Sequence, residues 1–219
     1  MRKAATLAVL IVALAACSAP EPSATPSSEP SAKVYAYSLV APLSVSPSGL
    51  VARAVLPKGT ECPELEVTGA DSVQMDQRRA GDTTKGAFDD AMVCSANIPA
   101  GATSARVTGV SIPAGMPKEA ETIAALADTG CRIKAAVQDC NSTTAWPFMP
   151  IAEQIAKANP DLIIHVGDYF YRELPCPAKD STRCGGSPVP PTGVPFEDSA
   201  AGWAADFFEP AQAMFAVAP

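Results

Sequence analysis

The chain has 219 residues, enough for one domain of ordinary size or two small ones. Apolar residues make up 47%, which allows a real core, while 22 prolines and 14 glycines favour loops and turns over a helix bundle. A formal charge of −7 with no clustered Lys or Arg argues against a nucleic-acid partner, because phosphate-tracking surfaces need concentrated positive charge.

In chain order, Arg2 and Lys3 precede a charge-free apolar stretch over residues 4–16, the pattern of an export signal. The stretch is too short to span a bilayer. It ends Leu14-Ala15-Ala16-Cys17, which resembles a bacterial lipobox. The resemblance implies cleavage before Cys17, lipidation of Cys17, and a membrane-anchored lipoprotein in the periplasm or on the cell surface. Loss of Arg2 and Lys3 would take the formal charge from −7 to −9. Residues 18–33 are Ser, Pro, Ala and Glu with little bulky apolar content, and are expected to form a disordered tether.

Six cysteines remain: Cys62, Cys94, Cys131, Cys140, Cys176 and Cys184. An even count in an exported chain predicts three disulfides. Of the roughly 15 connectivities open to six cysteines, chain proximity favours Cys62–Cys94, Cys131–Cys140 and Cys176–Cys184. A cysteine metal site needs close pairs such as C-x-x-C, and the sequence has none.

Residues 34–117 carry short apolar runs punctuated by Pro and Gly, predicting a small all-β module. No chemical motif stands out in it. Gly81-Asp82 within it has no strand before it, so the dipeptide Gly-Asp alone carries little information.

From Glu121 the pattern changes, and residues 118–219 are expected to form an α/β region. Residues 122–127 form a mostly apolar run ending at Asp128-Thr129-Gly130. Pro147 opens a predicted helix in which Phe148, Ile151, Ile155 and Ala158 share a face, and Asn159-Pro160 ends it. Residues 162–166 then form an apolar, β-branched run expected to be a strand buried on both faces. It breaks at Gly167 and delivers Asp168, with Tyr171 three residues on. Strand, helix, strand predicts a βαβ unit with parallel strands. Asp128 and Asp168 lie 168 − 128 = 40 residues apart, and would emerge at the same sheet edge, where α/β folds place their chemistry. Residues 172–195 read as a Pro/Gly/Cys loop. Residues 196–215 are predicted to be helical in two pieces, with Ser199 as a cap, Trp203, Phe207 and Phe208 inward, and Pro210 breaking the run. The apolar end, Phe215-Ala216-Val217-Ala218-Pro219, looks like the approach to another strand.

Asp128-x-Gly130 followed by Gly167-Asp168-x-x-Tyr171 resembles the first two motifs of the calcineurin-like metallophosphoesterases. Gly130, where most of that superfamily has His, together with Tyr171, is similar to the purple acid phosphatase type. The resemblance implies two packed sheets flanked by helices, here a partial sandwich beginning with the βαβ unit. It implies two metal ions (Fe, Zn or Mn), with Asp128 binding one, Asp168 bridging both and Tyr171 on the first. It also implies hydrolysis of a phosphate-ester substrate by a metal-activated water, with the ions about 3.5–4 Å apart. The later motifs Gly-Asn-His and Gly-His-x-His are absent, and His165 is the sole histidine. The chain is therefore expected to correspond to the amino-terminal half of such a domain, whose activity alone is in question. His165 is expected to be a satisfied core side chain, and Tyr169 is the alternative to Tyr171. Two other readings stand beside this one: a lipid-anchored binding or remnant protein without catalysis, and an aspartic protease using Asp128-Thr129-Gly130.

Overall fold

A computed structural model describes residues 33–78 and 90–219. The signal, Cys17, nearly all of the tether and Gly81-Asp82 lie outside the described residues.

Eight strands build the β module: β1 (Tyr35–Val40), β2 (Leu50–Pro57), β3 (Glu64–Thr68), β4 (Val73–Gln74), β5 (Asp76–Gln77), β6 (Ala91–Asn97), β7 (Ser104–Val107) and β8 (Val110–Ile112). They form two four-stranded sheets, β1-β2-β6-β5 and β4-β3-β7-β8, with every pairing antiparallel. Period-two alternation explains the packing. Leu50, Ala52 and Ala54 of β2 are buried in one core with Leu65, Met75, Ile98 and Val107. Cys62–Cys94 closes this core covalently. Tyr35, Tyr37 and Val55 instead pack against a helix from the far end of the chain.

The α/β region begins with β9 (Ile123–Leu126), α1 (Phe148–Ala158) and β10 (Leu162–His165). β9 and β10 pair in parallel, with Ile123 opposite Leu162 and Leu126 opposite His165, as the βαβ reading requires. The Asp161 carboxylate accepts the Glu121 and Thr122 N–H groups, both at 2.9 Å, and so aligns the starts of the two strands. Those backbone bonds hold the Asp161 carboxyl below its usual range. Asn159 ends α1 in the left-handed region at φ 48°, which Asn tolerates better than most residues.

Two expectations about faces are corrected. The buried face of α1 is Phe148 and Ala152, with Ile155 partly buried, while Ile151 and Ala158 are exposed. Ala211 and Met214 of the chain's last helix, with Leu126 and Ile163 of the strands, pack with that narrow stripe. β10 is not buried on both faces: Ile163 and Leu126 pack against the helices, whereas Ile164 is 40% and Ile123 is 53% exposed. A helical layer covers one side of the two-stranded sheet, and among the described residues the other side stays largely open. The Ile163 N–H donates to the Pro219 carbonyl at 3.0 Å, so residues at the chain's end run beside β10.

The loop after β10 includes the short helix α2 (Ser181–Cys184). The last helical segment runs from α3 (Ala200–Trp203) through a π-helical stretch, Ala204–Phe208, into α4 (Glu209–Phe215). Ser199 caps α3, its Oγ accepting the Gly202 N–H at 3.2 Å. Pro210 does not break this helix but lies buried in the first turn of α4. Proline cannot bond to the carbonyl four residues earlier, and the wider π turn just before it absorbs the mismatch. Tyr35 and Tyr37 stack on Phe208 at 5.4 and 6.0 Å between ring centroids. The β module and the α/β region thus share one interface, and the described residues form one compact unit.

Candidate metal centre

Both strands of the βαβ unit end the same way. Asp128 lies two residues beyond β9 and Asp168 three beyond β10, each in the left-handed region at φ 55° and φ 59°. Asp is among the few residues that enter this region at modest cost. The two exits stay laced together: the Val166 N–H donates to the Leu126 carbonyl at 3.0 Å, Asp128 N–H to the Gly167 carbonyl at 3.2 Å, and Thr129 N–H to the Asp168 carbonyl at 3.0 Å. Asp128 and Asp168 therefore leave the sheet at one edge, and both are solvent-exposed.

Tyr171 completes the group. Its hydroxyl donates to Asp128 Oδ1 at 2.8 Å. The hydrogen bond to Asp128, then desolvation, then a hydrogen bond to Asp168 hold the phenol well above its ordinary pKa. Of the two tyrosines, Tyr171 is the one that meets Asp128. Tyr169 turns the other way, stacking on His165 at 3.9 Å with its hydroxyl donating to the His165 carbonyl at 3.0 Å.

His165 is satisfied on both nitrogens. Nδ1 accepts the Gly167 N–H at 3.3 Å and Nε2 lies 2.9 Å from Thr129 Oγ1. With Nδ1 accepting, the neutral ring carries its proton on Nε2 and donates to Thr129. Burial lowers its pKa, against the pull of Asp128 and Asp168. The imidazole supports the loop and does not offer a free nitrogen to the carboxylates.

Gly130 is where the second loop crosses the first. A Cβ there would lie 2.7 Å from Tyr171 N and 2.9 Å from both Phe170 C and Cα. The absence of a side chain at 130 lets the Tyr171 backbone pass close enough for its hydroxyl to reach Asp128. This gives a physical reason for Gly130 and Tyr171 to occur together.

The supporting residues were not visible as a site in the sequence. Asp206, on the π-helical stretch, is fully buried. Its carboxylate accepts N–H groups from Cys131 at 3.1 Å, Tyr171 at 2.9 Å and Arg172 at 3.1 Å. It also pairs with the buried Arg172 guanidinium. Burial pushes the Asp206 carboxyl up, against the pull of Arg172 and of the Tyr171 and Cys131 amides. Trp146 donates its indole N–H to the Thr129 carbonyl at 2.8 Å and lies under Arg172, 5.2 Å from ring centroid to guanidinium carbon. The one available signal was an isolated acid between Ala204-Ala205 and Phe207-Phe208, since a lone carboxylate in an apolar run must find buried partners. Glu173 pairs with Lys134 at 3.0 Å on the surface.

All three disulfides favoured by chain proximity are present. Cys131–Cys140 staples the loop leaving Gly130, and Cys176–Cys184 staples the loop leaving Tyr171. Both join one cluster with Ile133 and Trp146. Such bonds suit an oxidising, extracytoplasmic compartment. Among the described residues, no helix is long and apolar enough to cross a membrane.

The donor set at the strand edge is two carboxylates and one phenol, all oxygen and suited to a hard cation. Among the described residues, no group of three or more His, Cys, Asp or Glu side chains gathers into a metal cluster. Comparison of the chain with protein-family models, with curated proteins and with solved structures gave no match.

Proposed function

We propose that Asp128, Asp168 and Tyr171 form a cation site of a metal-dependent phosphate-ester hydrolase. The observation that carries the reading is the Tyr171 hydroxyl on Asp128 Oδ1 at 2.8 Å, at the edge where the neighbouring parallel strand delivers Asp168. The motif resemblance to the purple acid phosphatase type of metallophosphoesterase supports it, with Fe, Zn or Mn as the ions. A lipid on Cys17 would tether the site to a membrane.

Bound cations would supply Lewis acidity towards the ester and acidify the attacking water. The chain's own residues do the rest. Asp128 and Asp168 provide fixed negative charge and hard oxygen donors. Tyr171 holds its proton on Asp128 Oδ1, and that proton must leave before the phenolate oxygen can serve as a ligand. Cation binding is therefore coupled to proton release and strengthens as pH rises.

A second reading has a specific observation in its favour. With both His165 nitrogens engaged, the described donors are three side chains, two carboxylates and a phenol, enough for one cation and sparse for two. This favours a cation-binding, non-catalytic protein. No comparable observation favours the protease: Asp128-Thr129-Gly130 follows a strand paired in parallel within a βαβ unit.

The test is equilibrium dialysis of the full chain against Fe(III), Mn(II) and Zn(II), followed by hydrolysis of a chromogenic aryl phosphate with and without chelator. Wild type should bind, and Asp168→Asn should not. Chelator-sensitive hydrolysis supports the hydrolase, and binding without hydrolysis supports the second reading. No binding by wild type, or unchanged binding by Asp168→Asn, overturns both.

A further inference from the structure

The cation site is assembled from two separate loops, and one buried carboxylate joins them. We infer that Asp206 is the positioning residue of the Asp128/Asp168/Tyr171 site, fixing the two ligand-bearing loops against each other.

The symmetry of its contacts carries the inference. Cys131 is three residues beyond Asp128, and Tyr171 is three residues beyond Asp168. Asp206 Oδ1 takes the Cys131 N–H at 3.1 Å, and Oδ2 takes the Tyr171 and Arg172 N–H groups at 2.9 and 3.1 Å. One carboxylate therefore clamps both loops at equivalent points, just past each metal-facing residue. Arg172 extends the clamp. Its Nη1 donates to Ser187 Oγ at 2.6 Å, and that hydroxyl donates to the Cys184 carbonyl at 2.7 Å, tying in the second disulfide hairpin. Its guanidinium also covers Trp146, which holds the Thr129 carbonyl of the first loop. The circuit closes on the loop where it began.

The clamp matters because Tyr171 is presented by its backbone. The Tyr171 amide passes over Gly130, so a small shift of either loop lifts its hydroxyl off Asp128. Ligand-supporting partners of this kind set the affinity of metal sites although they never touch the ion. Neither Asp128 nor Asp168 reaches Asp206, so the effect is indirect and is exerted on loop placement.

The inference rests on the proposed cation site, and its test separates the two. Asp206→Asn in the full chain keeps the size but turns an amide N–H₂ towards donors that need an acceptor. At a temperature where circular dichroism shows the variant folded, Mn(II) affinity should fall by about 10–100-fold. The Fe(III)-loaded variant should also lose the visible phenolate-to-iron absorption given by wild type. A residue that only stabilised the fold would lower the melting temperature and leave that absorption intact in the folded fraction. Should the variant not fold, amide exchange of wild type decides: the Cys131, Tyr171 and Arg172 amides should be protected as strongly as the interior of α1. If wild type binds and Asp206→Asn binds equally with its absorption intact, the positioning role is overturned and the cation site stands. Exchange of the three amides at open-loop rates also overturns it. If wild type binds no cation, the site itself falls and this role falls with it.

Discussion

Replacing Gly130 by alanine tests the crossing of the two loops directly. The added methyl would sit 2.7 Å from Tyr171 N and 2.9 Å from two atoms of Phe170, all backbone. Flexible side-chain ends could swing aside, but these atoms are held, the Tyr171 amide by Asp206 at 2.9 Å. Gly130 is not in the left-handed region, so the cost comes from space alone and not from an unfavourable φ. Overpacking by a methyl in such a place costs about 1–3 kcal/mol, and the fixed neighbours place this case near 2–3. For a chain of this size each kcal/mol shifts the melting temperature by about 2–4 °C, giving a loss of about 4–12 °C. Scanning calorimetry measures it, with Gly115→Ala as the control, because a Cβ at Gly115 meets nothing within 4 Å. Any relief of the clash moves Tyr171 away from Asp128, so cation affinity should fall as well. A Gly130→Ala protein within about 0.5 kcal/mol of wild type, the range of an ordinary surface change, and with unchanged cation binding would refute the close-approach argument.

Tyr171→Phe removes only the hydroxyl at the site, so melting should be unchanged while the phenolate-to-iron absorption vanishes. Removing the Cys62–Cys94 bridge, which spans 32 residues, with paired alanines should cost roughly 3.5 kcal/mol in the loop-entropy treatment, read by denaturant melts. Ser199→Ala deletes the cap of α3 and should cost about 1 kcal/mol. The depressed pKa of His165 sets a pH response. The unfolded ring takes up a proton near its ordinary pKa of about 6.5, while the folded ring resists it. Stability should therefore fall as pH drops through that value and on towards the lower folded pKa. His165→Gln should flatten this slope in thermal melts recorded between about pH 5 and 8.

The local parts of the fold were legible because they rest on short-range rules. The apolar runs gave β9 and β10, Asn159-Pro160 ended α1 where expected, and each cysteine paired with its nearest neighbour in the chain. Asp128, Asp168 and Tyr171 came together because a parallel pairing of adjacent strands leaves few other outcomes. Long-range choices were not legible. Which side of α1 is buried depends on Ala211 and Met214, more than fifty positions later. The Asp206 clamp links residues 34, 35 and 75 apart, and periodicity carries no such information. Pro210 continues the helix because the π turn before it, whose Phe208 stacks on Tyr35 and Tyr37, can absorb a proline that an α-helix cannot.

The cap of α3 reaches back across the molecule. The Asp90 carboxylate accepts the Ala200 and Ala201 N–H groups at 2.9 and 3.4 Å, while Glu209 takes hydrogen bonds from Lys33 at 2.8 Å and Tyr35 at 2.9 Å. Lys118, in the exposed connection between the two regions, is an inviting target for trypsin. A single cut there should yield two pieces that co-elute on gel filtration and separate only in denaturant, because each supplies counter-charges the other's ends require. An enzyme that nicks this linker would break the chain between the two regions without setting the carboxy-terminal piece adrift.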